Sequence, residues 1–94
     1  MKSGNLEMFA EIGKKELVIR EVHTHIDARE IIEMISNVVL SKDLKMAFDF
    51  EGSPGPLGRG MTIRIRFSRE LSDVDVNALR KIFELRKIPV IITG

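Results

Sequence analysis

The apolar residues of this chain repeat with two different periods, and the order in which the periods alternate restricts the possible folds. Residues 6–12, 16–22, 44–51 and 61–68 alternate between apolar and polar side chains, which is typical of half-buried β-strands. Two intervening stretches have apolar residues at the 3.6-residue spacing of amphipathic helices. A short apolar segment at 88–93 predicts a final strand. The predicted order is therefore strand, strand, helix, strand, strand, helix, strand.

Both helical stretches begin with a residue that can cap a helix. Asp27 is followed three residues later by Glu30, and Ser72 by Asp75, so the second carboxylate can reach back to the first residue's backbone N–H. The apolar stripes behind these caps are Ile31, Ile32, Ile35, Val38 and Val39 in the first helix and Ala78, Leu79, Ile82 and Phe83 in the second. We therefore expect two helices that bury these stripes against one sheet.

Two glycine-containing segments connect predicted strands. Gly at the first position of Gly13-Lys14 suits a type II′ hairpin turn, which would place Ala10 opposite Leu17 and Glu7 opposite Arg20. The segment 52–60 holds two prolines and leads into a strand, whereas a phosphate-binding loop needs converging N–H groups before a helix. This segment is therefore predicted to be a long irregular hairpin loop.

This order of elements predicts an α+β protein built as a two-layer α/β sandwich. Its last six elements follow the split βαβ arrangement of ferredoxin-like folds, with an additional N-terminal hairpin strand. The N-terminal and C-terminal strands then compete for one position beside the first core strand. Either the hairpin is a bent extension, or the final strand pairs elsewhere, for instance in another subunit. With 94 residues the chain has room for one core, so 1–94 is expected to be a single domain.

The amino-acid composition excludes several kinds of functional site. The absence of cysteine excludes disulfides, iron–sulfur clusters, thiol nucleophiles and thiolate zinc sites. Fifteen Lys and Arg against 14 Asp and Glu give a net charge of +1, which argues against a dedicated nucleic-acid binder. No apolar run has the length of a membrane helix and no signal peptide is evident, so a cytoplasmic location without membrane association is expected. The lack of Gln and the scarcity of Asn are typical of thermophile proteins.

The polar face of the predicted sheet carries the first candidate site. Val18 and Val22 share this face with Arg20, Arg64 and Arg66. An apolar patch rimmed by charge is typical of an interface, and unpaired strand edges offer a second way to associate. The sequence therefore favours a binding or assembly module that forms a homodimer, without a cofactor, over an enzyme.

The same arginines support an alternative function, the binding of RNA or DNA. Arg59, near the end of the predicted loop, would join Arg20, Arg64 and Arg66 in contacting phosphates. Asp49 is predicted to lie opposite Arg64 on the neighbouring strand. A carboxylate at that position would offset the arginine charge, and the simpler interpretation is an exposed ladder of ion pairs.

A third and less favoured hypothesis is a metal-dependent hydrolase. His23 and His25 alternate onto one side of the chain and could bind a divalent metal, with Asp27 or Glu21 as an oxygen ligand. The chain has no other histidine, so a second subunit would have to complete the site. In the simpler interpretation this stretch is a polar connection in which Asp27 caps the helix.

Overall fold

The computed structural model describes residues 7–55 and 60–93, and its elements follow the predicted order. In chain order they are β1 (Phe9–Ile12), β2 (Glu16–Val22), α1 (His25–Ser41), β3 (Phe48–Pro54), β4 (Met61–Phe67), α2 (Asp73–Leu85) and β5 (Val90–Ile92). Within these described residues, neither helix is long and apolar enough to cross a membrane.

The five strands form one mixed sheet in the order β3-β4-β2-β1-β5. β1 pairs in parallel with β5, and the other three pairings are antiparallel. Both terminal strands therefore belong to the same sheet, because β1 lies between β2 and β5. β5 still runs antiparallel to β2, although the two strands do not touch.

Both helices pack on the same face of the sheet, as a two-layer α+β arrangement requires. Their buried residues and the inward residues of the strands form one apolar cluster. Its members in the regular elements are Ala10, Ile12, Leu17, Ile19, Val22, Ile63, Ile65 and Phe67 from the sheet and Ile31, Ile35, Val39, Leu79, Ile82 and Phe83 from the helices. The remaining members of the predicted stripes, Ile32, Val38 and Ala78, are half-buried. Both helical stripes thus face the sheet, as predicted.

The two helix starts differ in how well the sequence predicted them. Ser72 and Asp75 form the predicted reciprocal capping box of α2. The cap of α1 is Thr24, whose Oγ1 accepts a hydrogen bond from the Asp27 N–H at 3.0 Å. The prediction that Asp27 is the cap was wrong, since the helix begins earlier and Asp27 lies in its first turn. Its charge there complements the positive end of the helix dipole.

The β1–β2 hairpin has a different register from the predicted one. Ala10 lies opposite Ile19, and the Gly13 N–H donates to the Glu16 carbonyl at 2.8 Å, so the turn falls at residues 14–15. Arg20 consequently pairs with Glu11 and not with Glu7. The observed register differs from the predicted one by two residues along β2, which exchanges the partners but leaves every side chain on its face. The hydrophobic pattern was therefore unable to distinguish the two registers.

The third strand also lies further along the chain than predicted. Residues 44–47 are irregular, Asp43 and Lys45 have positive φ angles of 52° and 57°, and β3 continues to Pro54 through residues predicted as loop. The register shifts with it, so that Asp49 lies opposite Arg66, and Arg64 faces Glu51. The predicted pairing of Asp49 with Arg64 was wrong.

Candidate functional site

The sheet face that the helices leave open carries a ladder of ion pairs. The pairs are Arg20 Nε to Glu11 Oε1 at 3.1 Å, Arg64 Nη1 to Glu16 Oε1 at 3.1 Å, and Arg66 Nη2 to Glu51 Oε2 at 3.3 Å. Every arginine that the sequence predicted on this face therefore has a carboxylate partner. The ladder leaves little uncompensated positive charge on the face.

The two valines of the predicted apolar patch lie on opposite sides of the sheet. Val18 is on the open face but only 4% exposed, with Glu11 and Arg64 beside it on the adjacent strands. Long charged side chains cover apolar neighbours with their aliphatic stems. Val22 belongs to the core cluster, because a bulge between Ile19 and Val22 reverses the alternation. The prediction that Val22 faces solvent was wrong, and the two valines form no patch.

The nucleic-acid hypothesis also relied on Arg59, which lies outside the described residues. Phosphate binding depends on cations that neighbouring carboxylates do not neutralise. The other three arginines of this hypothesis, Arg20, Arg64 and Arg66, each form an ion pair with a glutamate. The described part of the open face therefore gives no specific support to nucleic-acid binding.

β3 is an edge strand, and the described chain provides no partner for its outer side. Next to the strand, the Ser68 N–H donates to the Ala47 carbonyl and the Gly55 N–H to the Gly60 carbonyl, both at 2.9 Å. Bonded and non-bonded pairs alternate along antiparallel strands, so the odd-numbered residues of β3 bond to β4. The outward positions are Phe48, Phe50, Gly52 and Pro54. Pro54 fits there because its missing N–H is not needed by β4.

The outer edge of β3 also exposes an aromatic ring. Phe50 is 52% exposed, whereas Phe48 packs against Phe67 with ring centroids 6.1 Å apart. The opposite edge of the sheet is β5, which has three residues against seven in β3. A long edge with an exposed apolar side chain is a template for pairing with another strand.

A second unusual feature is the bulge at the end of β2. Glu21 has a φ of 62°, in the left-handed region that side-chain-bearing residues seldom adopt. Its side chain is 12% exposed, and its Oε1 atom is buried and accepts no hydrogen bond. His23 forms an ion pair with this carboxylate, with its Nε2 3.7 Å from Oε1. The bulge thus holds a largely buried carboxylate beside an imidazole.

Gly60 closes over this bulge. It has a φ of 63°, and a Cβ atom there would lie 3.2 Å from the Cα of Glu21 and 3.3 Å from both Glu21 Oε1 and His23 Cε1. Glycine is therefore favoured at this position, because residues with a side chain seldom adopt this backbone conformation and a Cβ atom would crowd both neighbours. This contact was not predictable from a local pattern, because it joins residues almost forty positions apart.

The structure only partly brings together the predicted metal ligands. His23 follows β2, His25 is the first residue of α1, and both line a cavity of about 440 Å³ beside the β3–β4 hairpin. Glu21, His23 and Asp27 line a neighbouring cavity of about 310 Å³. Within residues 7–55 and 60–93, no group of three His, Cys, Asp or Glu residues is arranged to hold a metal ion. The His23–His25 hypothesis thus gains no third ligand from the described residues.

A partly buried ion pair at the start of α2 was not predicted from the sequence. Arg69 donates to both carboxylate oxygens of Asp75, at 2.5 and 3.2 Å, and also to the carbonyl of Leu44. The Ser72 N–H donates to the same carboxylate at 2.7 Å. The pKa of Asp75 is lowered to about 2, mainly by the hydrogen bond from Arg69 and to a smaller extent by the hydrogen bonds from Ser72, against the opposing effect of burial. Through Arg69, this pair connects the backbone at Leu44 to the start of α2.

Comparison with known proteins offers no relative for this arrangement. No family model matches the chain, and neither a curated protein nor a solved structure is similar to it. The contacts and exposed edges of the chain itself are therefore the observations on which its function can be argued.

Proposed function

We propose that the protein is a non-enzymatic binding and assembly module that self-associates as a homodimer through the outer edge of β3. The observation that carries this proposal is the run of outward backbone groups at Phe48, Phe50 and Gly52, together with the exposed ring of Phe50. Antiparallel pairing of two copies would join two five-stranded sheets and satisfy these groups. A symmetric contact of this kind uses the same surface on both subunits.

The edge is a better interface than the open face of the sheet. Packing two open faces together would take the three ion pairs of the ladder out of water, and desolvation of ion pairs costs free energy that their attraction often fails to return. Edge pairing leaves the ladder in solvent. It would also cover part of Phe50, the exposed large apolar side chain of β3.

Light scattering on a size-exclusion column tests this proposal at tens of micromolar. The expected mass is twice the 10.7 kDa of one chain. Phe50→Pro removes an outward N–H that β4 does not use, so the variant is expected to keep its fold by circular dichroism and to be monomeric. Phe50→Thr is the matched control, because it also removes the ring but keeps the N–H, and it is expected to retain weaker self-association.

Two outcomes would overturn the edge interface. One is a wild-type protein that is monomeric over the whole concentration range. The other is a folded Phe50→Pro variant that dimerises as strongly as Phe50→Thr, which would move the contact to another surface such as the open face or β5.

We also propose that β2 to β5 form a ferredoxin-like unit into which β1 is inserted, and that the protein works in the cytoplasm. The antiparallel relation of β5 to β2 supports the first statement, because that is the orientation of the corresponding adjacent strands in a split βαβ unit. The lack of cysteine supports the second, since extracellular domains of this size commonly depend on disulfides.

A further inference from the structure

Two features of the bulge at Glu21 cost stability. A carboxylate removed from water is destabilising unless it is paired or hydrogen-bonded. Glu21 Oε1 is buried without a hydrogen bond, and the backbone of the same residue has a positive φ. Strained residues with uncompensated polar groups are concentrated at ligand sites. These two features point to a ligand at Glu21.

The distance between Glu21 and His23 fits an atom placed between them. The two facing atoms, Oε1 and Nε2, are 3.7 Å apart, which is too long for a hydrogen bond. Zinc binds an imidazole nitrogen at about 2.0–2.1 Å and a carboxylate oxygen at about 2.0–2.2 Å, so a tetrahedral ion holds the two ligand atoms roughly 3.4 Å apart. A shift of a few tenths of an ångström would bring both atoms into this geometry.

The surroundings of the pair favour a cation. Glu7 and Asp27 line the same cavity of about 310 Å³ as Glu21 and His23, and Lys87 is the one lysine or arginine among its described lining residues. Gly60 covers the other side without room for a side chain. An imidazole ligand favours zinc, nickel or copper over calcium or magnesium, which prefer oxygen ligands alone.

We propose that Glu21 and His23 bind a divalent transition-metal ion such as Zn²⁺ at the β2 bulge, with water completing its coordination. The site differs from the His23–His25 pair that the sequence suggested, since Glu21 replaces His25 as the second ligand. It does not depend on self-association, because the bulge lies outside the outer edge of β3. Two protein ligands make it a weaker site than a four-ligand structural zinc site.

The test follows Zn²⁺ binding by calorimetry and the two histidine rings by NMR. Wild-type protein is expected to bind ZnCl₂ saturably with one ion per chain, and to give no saturable heat with CaCl₂. The chain has two histidines, so their ring signals can be assigned with His23→Gln and His25→Gln. In the wild-type protein, substoichiometric Ni²⁺ is expected to broaden the His23 signals more strongly than those of His25. This measurement does not depend on the folding of any variant.

The variants separate the possible ligand pairs. Glu21→Gln and His23→Gln are each expected to weaken Zn²⁺ binding at least tenfold, while His25→Gln, the matched control, should stay within twofold of wild type. Absence of saturable Zn²⁺ binding to the folded wild type overturns the proposal. So does wild-type affinity in Glu21→Gln, or an equal loss in His23→Gln and His25→Gln, which would identify the histidine pair instead. If His23→Gln does not fold, the Glu21→Gln affinity and the wild-type Ni²⁺ broadening decide the outcome.

Discussion

Asp75 and Glu21 are both carboxylates largely withdrawn from solvent, but their surroundings are opposite. Asp75 accepts hydrogen bonds from Arg69 and Ser72, and these bonds hold its charge in place. Glu21 has a buried oxygen without a hydrogen bond and a histidine nitrogen 3.7 Å away. We therefore expect the negative charge to stabilise the fold at Asp75 and to contribute no stability at Glu21. Burial alone does not distinguish a carboxylate that stabilises the fold from one at a candidate ligand site. The number of hydrogen bonds that its oxygens accept does distinguish Asp75 from Glu21.

Replacing Asp75 is expected to have the largest effect on stability. Asp75→Asn leaves Arg69 without its partner and removes an acceptor from the cap of α2. Loss of one partner of a buried pair costs about 3–5 kcal/mol. Because the Arg69 side chain is 38% exposed and can be solvated, we expect about 2–3 kcal/mol, measured by urea unfolding at pH 7.

Asp73→Asn is the control for Asp75→Asn, because it changes an exposed aspartate in the same helical turn. It removes only a favourable interaction with the helix dipole, and is expected to cost less than about 1 kcal/mol. Equal losses in the two variants would contradict a special role for the Arg69–Asp75 pair.

The pH dependence of stability provides the next largest effect. Because the pKa of Asp75 is lowered to about 2 from the ordinary 3.8, its contribution is fully present above about pH 4 and is lost as the pH falls towards 2. A shift of this size corresponds to about 2 kcal/mol. The difference in unfolding free energy between wild type and Asp75→Asn should shrink by that amount between pH 5 and pH 2. A constant difference would mean that Asp75 titrates normally.

Glu21→Gln is expected to behave in the opposite way. In metal-free buffer containing EDTA, the substitution removes a desolvated charge and keeps the shape of the side chain. We expect no loss of stability and a gain of up to about 1 kcal/mol in urea unfolding. A loss larger than 1 kcal/mol would show that Glu21 stabilises the fold through His23, as Asp75 does through Arg69.

The order of elements and the capping box were predictable because both depend on residues close in sequence. The apolar periods of two and 3.6 residues are local properties, and Ser72 and Asp75 are three positions apart. The partner of Asp75 was not predictable in the same way, since Arg69 also bonds to the carbonyl of Leu44, 25 residues earlier. Which loop folds back onto a helix start is decided by packing and not by a local pattern.

The sequence predicted which side chains of each strand face the helices, with the exception of Val22. It did not predict the strand registers or the bulge in β2. Val22 follows an uninterrupted alternation, so the sequence assigned it to the open face. The extra residue at Glu21 adopts a conformation usually found in glycine and turns Val22 inwards. Gly60, the residue before β4, packs against that bulge and leaves space for it because it has no side chain. The candidate metal site therefore depends on the one place where the alternation fails.

The ion-pair ladder provides the smallest effect and a reference for both buried carboxylates. The carboxylate of Glu51 is paired like that of Asp75, but its side chain is 60% exposed and that of its partner Arg66 is 57% exposed. Water solvates both groups whether or not they meet, so Glu51→Gln is expected to cost less than about 0.5 kcal/mol in urea unfolding, and less still in high salt. A loss comparable to that of Asp75→Asn would mean that pairing alone, without burial, stabilises this protein. The contrast between Asp75 and Glu21 would then have to be explained by the number of hydrogen bonds and not by the environment in which they form.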